Sequence, residues 1–565
     1  MSDHITGLPS EDKPWMNYYP FQWNENTVQN QSMYDLVREA NRNREDRTAI
    51  IYFGNHISYR ELFAETEQAR KAFYAFGLRK GDVVSILSLN TPETTYSIYA
   101  LNSLGVTVNL PVVTNTTEEL EKNIAFTDSK MVLILDEVLD KYPDIDFKVP
   151  VIILPLSRSA GMGLKLLRIF KKHRKYQPYN DFIACASDDD AVLQHDENNA
   201  AVILYTSGST GQPKGVVLSS RNLNSIAVMC TLTDKNYKPG ERFLNILPPF
   251  FSFGVEMHHL CLCSGMTEIV ALIPKEKNII HLLNKYKPER YVFGPVLIDT
   301  ILKCSEAVLS NLIDLTGGGG TISKEAEAKL NDRLMKCNSS TKYLEGYGMT
   351  ELSSVVTMNH NSDYCPHSIG YPLPGINLKV ISPETGEELS YMQEGELLVS
   401  SPGIMTEYFR NKSETNSIIE KDTNGLRWLH TGDIARINED GFVFIVGRIK
   451  RIYITTDENN TAYKLFPQRM EDIISELPVV RRCGVVVIPH KKRQNIPVVF
   501  FEAHGSPGHE QTCAEIRKWI REKLPSYYEP EEIYFLETIP TTTTQKIDYR
   551  KLERLAAAEE NPGNH

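Results

Sequence analysis

The 565-residue sequence contains no apolar run approaching the roughly 20 residues that a membrane-spanning helix needs. Its opening stretch, MSDHITGLPSEDKPW, lacks the basic and apolar regions of a secretory signal, so a cytoplasmic protein is expected. Basic charge is the scarcer sign. The 61 Lys and Arg against 72 Asp and Glu leave a net charge of -11, and such a surface offers no general attraction to nucleic acid. Cysteines number nine, an odd and scattered set. Only Cys261 and Cys263 are close neighbours, and C-x-C with no other ligand nearby is a poor zinc motif, so reduced thiols are expected. Internal repeats and low-complexity tracts are missing as well, which excludes repeat architectures.

What is present is an ordinary globular composition, 41% hydrophobic and 24% charged, on a chain too long for one core. After a polar lead, apolar-periodic helical segments (Met33 to Ala40, Tyr59 to Phe76) alternate with short β-rich runs, VVSILSL from Val83 and MVLILD from Met131. The pattern returns between Ala200 and Leu315. Strand then helix, repeated, predicts an α/β fold with a largely parallel sheet. Between Ile376 and Val446 the texture changes to short alternating strands with Gly turns: INLKVIS, GELLVSS and GFVFIVG. From Lys450 onward the strands CGVVVIP, VVFFEAH and EIYFLE with a helix from Cys513 to Lys523 predict a compact α+β domain. The expected division is an N-terminal part over 1–450, holding a β-rich subdomain at about 370–447, and a C-terminal domain over 451–565.

One segment breaks the texture. GLKLLRIFKKHRKY, 163–176, puts Leu164, Leu167 and Phe170 on one helical side and Lys165, Arg168 and Lys172 around the rest. That pattern suits either a solvated surface helix or, at most, peripheral contact with anionic lipid.

The densest chemistry lies in AVILYTSGSTGQPKGVVLSSR, 201–221. A β-run ends in Tyr205, and Thr206, Ser207, Gly208, Ser209, Thr210, Gly211, Gln212, Pro213 and Lys214 follow. Glycines let the backbone wrap an anion, hydroxyls and amides donate to it, and the lysine supplies charge. It is not a Walker loop, because G-x-x-x-x-G-K-[ST] fails at Pro213.

The ordered string TSGSTGQPKG resembles the phosphate-binding signature of the adenylate-forming (AMP-binding) superfamily, which includes acyl-CoA synthetases, peptide-synthetase adenylation domains and luciferases. The resemblance continues in order along the chain. YGMTE at 347–351 is similar to the adenine and magnesium motif, and GYPLPG at 370–375 and GELLVSSPGIMTEYF to connecting strands. WLHTGDIARINEDGFVFIVGRIKR is similar to the ribose motif and hinge, and KIDYRKL to the C-terminal lysine motif.

The resemblance implies that ATP activates a carboxylic acid as acyl-AMP, which then passes to coenzyme A. It assigns the nucleotide to Thr206, Ser207, Gly208, Ser209, Thr210, Lys214, Gly319, Gly320, Tyr347, Gly348, Asp433 and Arg448. Glu351 is a hard oxygen ligand suited to Mg²⁺, with Thr206 beside it, and Thr350 can reach a phosphate oxygen. Tyr347 offers a flat face to adenine, while Asp433 and Arg448 serve the ribose. Lys546 is implied to touch the bound acid and phosphate, a use that suits a flexible point charge. The C-terminal domain is implied to be mobile about a hinge at Lys450 and Arg451, removing the lysine and admitting the thiol.

Four positions depart from the family pattern. Phe251 stands where many members have His, Gln545 replaces a Gly before the lysine, Ser220 replaces a common His, and Ala462 stands for the glycine that approaches the pantetheine thiol. The stretch LPPFFSFGVEM lacks the Asp that an amino-acid-activating member carries. Phe251, Phe253, Gly318 and Gly319 are the expected acyl-pocket wall, and the run Gly317 to Gly320 leaves room for a medium- or long-chain fatty acid. The alternative acceptor is an acyl carrier protein, loaded by a stand-alone adenylation enzyme. A catalytically dead acyl or nucleotide sensor is disfavoured by the intact Lys214, Glu351, Asp433 and Lys546.

Overall fold

The structure, a computed structural model, describes residues 6–19, 23–28, 30–161, 175–186, 196–206, 214–233, 235–272, 274–294, 297–320, 322, 324–456, 461–505, 508–542 and 546–559. The basic segment 163–176 lies almost wholly outside them, as do the loop residues 207–213, including Ser207, Gly208, Ser209 and Thr210, and Gln545.

Among the described residues two large, mostly parallel sheets carry the N-terminal part. The eight-stranded sheet runs Glu407–Tyr408, Lys214–Ser219, Ala200–Thr206, Thr107–Asn109, Val83–Leu87, Met131–Leu135, Val151–Leu154, Gln177–Pro178. The nine-stranded sheet has at its centre Tyr343–Tyr347, Asp314–Gly317, Arg290–Phe293, Arg242–Asn245 and Thr267–Val270, all parallel to their neighbours within that group. Strands such as MVLIL are buried at every position, as a sheet covered on both faces requires.

The helices next to these sheets show why the fold closes. In Pro92–Ser103 every residue but the last is buried, and Ser220–Thr231 and Ser252–Cys263 are nearly as enclosed. These helices bury polar side chains along with apolar ones, and those are partnered inside: Asn224 Oδ1 faces His259 Nε2 at 2.9 Å, and Asn222 donates to the Ile404 carbonyl at 3.0 Å. Ser219 caps its helix by accepting from Asn222 N–H, with the Asn222 side chain returning the bond, so the strand Lys214–Ser219 turns straight into the helix. The two faces of the nine-stranded sheet feed separate cores. Phe243, Val292 and Met257 share one, and Leu244, Tyr291, Leu315 and Tyr343 share the other.

The predicted β-rich region forms a five-stranded antiparallel sheet of Asn377–Ile381, Gly395–Ser400, Arg427–Ile437, Ile419–Lys421 and Val443–Arg448. A 3₁₀ turn, Ile449–Arg451, leads into the hairpin Tyr453–Thr456/Ala462–Leu465. Beyond it, Val480–His490, Gln494–Ala503 and Ile533–Phe535 make a three-stranded sheet packed by Pro467–Ile474 and His509–Lys523 on one side and by Tyr549–Glu559 on the other. The helix His509–Lys523 begins four residues earlier than the Cys513 expected from periodicity, with Gly508 as the extended residue from which it starts. No described helix is long and apolar enough to cross a membrane.

Candidate active site

The antiparallel strands Ala200–Thr206 and Lys214–Ser219 end opposite each other, Thr206 paired with Lys214, and hold the ends of the Gly/Ser loop at one rim of a cleft of about 2620 Å³. Lys214 pairs with Glu414, and its ammonium lies 4.9 Å from the centroid of the Tyr408 ring. Glu414 comes from the helix Lys412–Ile418, whose Asn411 side chain accepts from Glu414 N–H.

Glu351 lies in a 3₁₀ turn after the strand Tyr343–Tyr347, which hydrogen-bonds to neighbours on both sides. Gly348 makes that turn possible: a Cβ there would meet the Ser354 carbonyl oxygen at 1.2 Å. The Glu351 carboxyl is buried, and its Oε1 accepts from the Tyr408 hydroxyl at 2.8 Å and, weakly, from Thr206 Oγ1 at 3.5 Å. Its Oε2 has no protein partner among the described residues, and Glu351 lines the cleft. An open carboxylate oxygen of this kind fits a hard cation. Among the described residues no cluster of three or more His, Cys, Asp or Glu could hold a metal, so a cation here would complete its shell from substrate and water. Thr350 Oγ1 lies 3.2 Å from Ser252 Oγ.

Asp433 and Arg448 face each other across adjacent strands. Arg448 Nε donates to Asp433 Oδ1 at 2.6 Å, while the Tyr347 hydroxyl donates to Oδ2 at 2.5 Å. Burial and the Asp433 carboxylate hold the Tyr347 phenol well above its ordinary pKa, so it stays a donor. Glu396 steadies the turn from the next strand, accepting from Gly432 N–H at 3.1 Å and facing His430 Nδ1 at 3.0 Å.

Lys546 reaches this site from the far end of the chain. Its carbonyl accepts from Thr542 N–H at 2.7 Å, Thr541 bridges Ile547, and Lys546 lines the cleft. The lysine keeps an open surface on the cleft side, yet the crowded surroundings and then Arg448 lower its pKa, against the opposing pull of Asp433 and Glu351. Three groups more than ninety residues away in sequence thus act electrostatically on one ammonium. Arg451, the expected hinge residue, is tied into the C-terminal part: its guanidinium donates to Glu471 Oε1 at 2.8 Å and lies 3.8 Å over the Tyr549 ring, three residues past Lys546.

Phe251, Phe253 and Gly318 line the same cleft, as do Gly319, Gly320 and Lys450. A Cβ on Gly318 would sit 3.4 Å from the Phe253 ring. Gly319 has φ +83, where L side chains are strained, although the space beside it is open. Ala462 is not brought to the cleft. It stands exposed at the start of its hairpin strand, opposite Thr456. The sequence reading missed Tyr408, Glu396 and Glu414. The first two lie inside GELLVSSPGIMTEYF, a stretch recognised as a motif but not resolved into roles.

Residues 37–409 match the family model described as AMP-binding enzyme, and residues 469–546 the model for the AMP-binding enzyme C-terminal domain. The long-chain-fatty-acid–CoA ligase of Bacillus subtilis (strain 168) is 26% identical over 582 residues, covering 98% of this chain and 99% of that protein. The 4-coumarate–CoA ligase-like 2 of Arabidopsis thaliana is 29% identical over 530 residues, covering 89% and 87%. Among solved structures, ATP-bound MatB from Rhodopseudomonas palustris superposes with a TM-score of 0.79 at 23% identity, covering 93% of this chain and 99% of that one.

Proposed function

The chain belongs to the AMP-binding enzymes, and from that membership we propose that it is an AMP-forming acid–thiol ligase acting on a medium- or long-chain carboxylic acid, with ATP, Mg²⁺ and coenzyme A. The observation that carries this reading is the convergence of Lys546 on Glu351, Asp433 and Arg448 at the mouth of an apolar cleft. In the first step a carboxylate oxygen of the acid attacks the α-phosphorus, the bond from that phosphorus to the bridging oxygen breaks, and pyrophosphate leaves with the electron pair. Glu351 through its open oxygen, with Thr206 beside it, would hold Mg²⁺, which when bound shields phosphate charge. Asp433 is an acceptor held by Arg448 and Tyr347 in a fixed orientation, suited to two ribose hydroxyls. Lys546 supplies positive charge where phosphoryl charge develops. In the second step a thiolate attacks the acyl carbon and AMP departs with the electrons of the broken acyl–phosphate bond.

The unit that moves between the steps is read as residues 451–565, turning at Lys450 and Arg451. The Arg451–Glu471–Tyr549 contacts support this reading, because they tie the hinge arginine to the helix that follows Lys546. The test is a panel of carboxylic acids in ATP–pyrophosphate exchange, repeated with coenzyme A and scored for thioester. Acid-dependent exchange followed by thioester formation supports the proposal. Exchange without thioester would move the acceptor to a carrier protein, and no exchange with any acid would end the ligase reading.

A further inference from the structure

The apolar slot of the cleft has a polar floor. The strand Asp314–Gly317 and the residue after it alternate faces, so Asp314, Thr316 and Gly318 point the same way. Gly318 faces Phe253, at the wall already described. Thr316 and Asp314 lie deeper and meet Lys235, whose ammonium donates to Asp314 Oδ1 at 2.7 Å and to Thr316 Oγ1 at 2.6 Å. Phe243, Met257 and Val292, all apolar, share one core cluster and line the same cleft. Gly318 to Asp314 spans about 13 Å of strand rise, the depth of a medium-length acyl chain.

The Lys235 and Asp314 side chains are only 4% and 5% exposed, yet both residues line the cleft. Arg290 completes the cluster, donating to Asp314 Oδ2 at 3.2 Å and to Glu241 Oε2 at 2.7 Å. Among the described residues of this cluster two cations and two anions balance, leaving no net charge to neutralise an added one. The Thr316 hydroxyl spends its own hydrogen on Asp314 Oδ1 at 2.7 Å. An ammonium has three hydrogens. Two are used, and the third has no protein acceptor among the described residues.

We propose that Lys235 is a specificity residue that selects an acid with an apolar chain and a neutral oxygen function, hydroxyl or carbonyl, near its far end. The inference rests on the ligase reading and deepens it. A hydroxyl or ketone at the floor accepts the spare hydrogen, whereas a saturated chain leaves it buried and unmet, a cost worth about a tenfold preference. A second carboxylate would add an unbalanced charge beside Asp314 and Glu241, so a dioic acid is a poor substrate.

The test compares acids of equal carbon count ending in methyl, ω-hydroxyl, oxo or carboxyl, in ATP–pyrophosphate exchange, with wild type, Lys235→Met and Thr316→Val. The ω-hydroxy or oxo acid should exceed the methyl-ended acid about tenfold in kcat/KM. Lys235→Met should erase or reverse that ratio, and Thr316→Val, which leaves the donor in place, should keep it. Because Lys235→Met opens a buried pair, melting temperature is read alongside; the ratio between two acids is internal to each variant and does not depend on how much of it is folded. A methyl-ended or dioic acid preferred by wild type, or a ratio unchanged in Lys235→Met, overturns the inference and leaves the ligase reading standing. Exchange with no acid at all overturns the ligase reading, and this inference with it.

Discussion

The Tyr408 hydroxyl donates to Glu351 Oε1 at 2.8 Å, fixing which carboxylate oxygen stays free. Burial, and then Glu351 itself, hold that phenol far above its ordinary pKa, so the bond is a donor bond at every working pH. If Glu351 binds magnesium, Tyr408→Phe should raise the Mg²⁺ concentration for half-maximal exchange about tenfold, the worth of a hydrogen bond to a charged group, while activity at saturating Mg²⁺ largely recovers. Glu351→Gln should lose turnover that added Mg²⁺ does not restore, at nearly unchanged melting temperature. Mg²⁺ titrations of both variants check this; an unchanged Mg²⁺ dependence in both would remove Glu351 from the metal site.

His430 gives a pH signature. The hydrogen bond to Glu396 raises its pKa above the ordinary 6.5, against the opposing effect of burial. A histidine whose folded value is raised stabilises fully below its unfolded value and loses that contribution as pH rises through the folded value. The melting temperature of His430→Asn should therefore fall furthest below wild type near pH 6, with the gap narrowing toward pH 9. A gap constant across that range would show that the pair with Glu396 does not matter to stability.

Chain length should respond to Gly318, which faces the cleft with an ordinary φ, and not cleanly to Gly319, whose φ of +83 makes any side chain a backbone perturbation. Gly318→Leu should cut exchange with long acids at least tenfold, about the worth of a lost pair of buried methylenes, and spare short ones. Equal loss at every length would mean that the nucleotide site or the fold was damaged instead.

Periodicity and motif order made much of this architecture legible. Tyr59–Phe76 and Met33–Ala40 read correctly because each begins at a Ser whose side chain is a capping box and then follows one apolar stripe. The site residues were legible only where a motif carried them. Partners supplied from distant strands were not: Tyr408 meets Glu351 across 57 positions, Lys214 meets Glu414 across 200, and Lys235 meets Asp314 across 79. No local pattern encodes such pairs, because sheet order and register decide them.

The central claim is that Lys546 works by charge in the first half-reaction alone, and Lys546→Ala separates the halves. ATP-driven acyl-adenylate formation should fall about a hundredfold or more, since a charge-assisted contact at a developing phosphoryl charge is worth roughly 3 kcal/mol or above. The same variant, given preformed acyl-adenylate and coenzyme A, should form thioester at a near-native rate. Because burial and Arg448 depress the lysine's pKa, adenylation by wild type should also fail at a lower alkaline pH than a free lysine would impose, and Lys546→Arg should move that limb upward. The decisive measurement is the pair of half-reaction rates in Lys546→Ala: loss in the first with the second spared is the predicted result, and equal loss in both, or loss in neither, would contradict it.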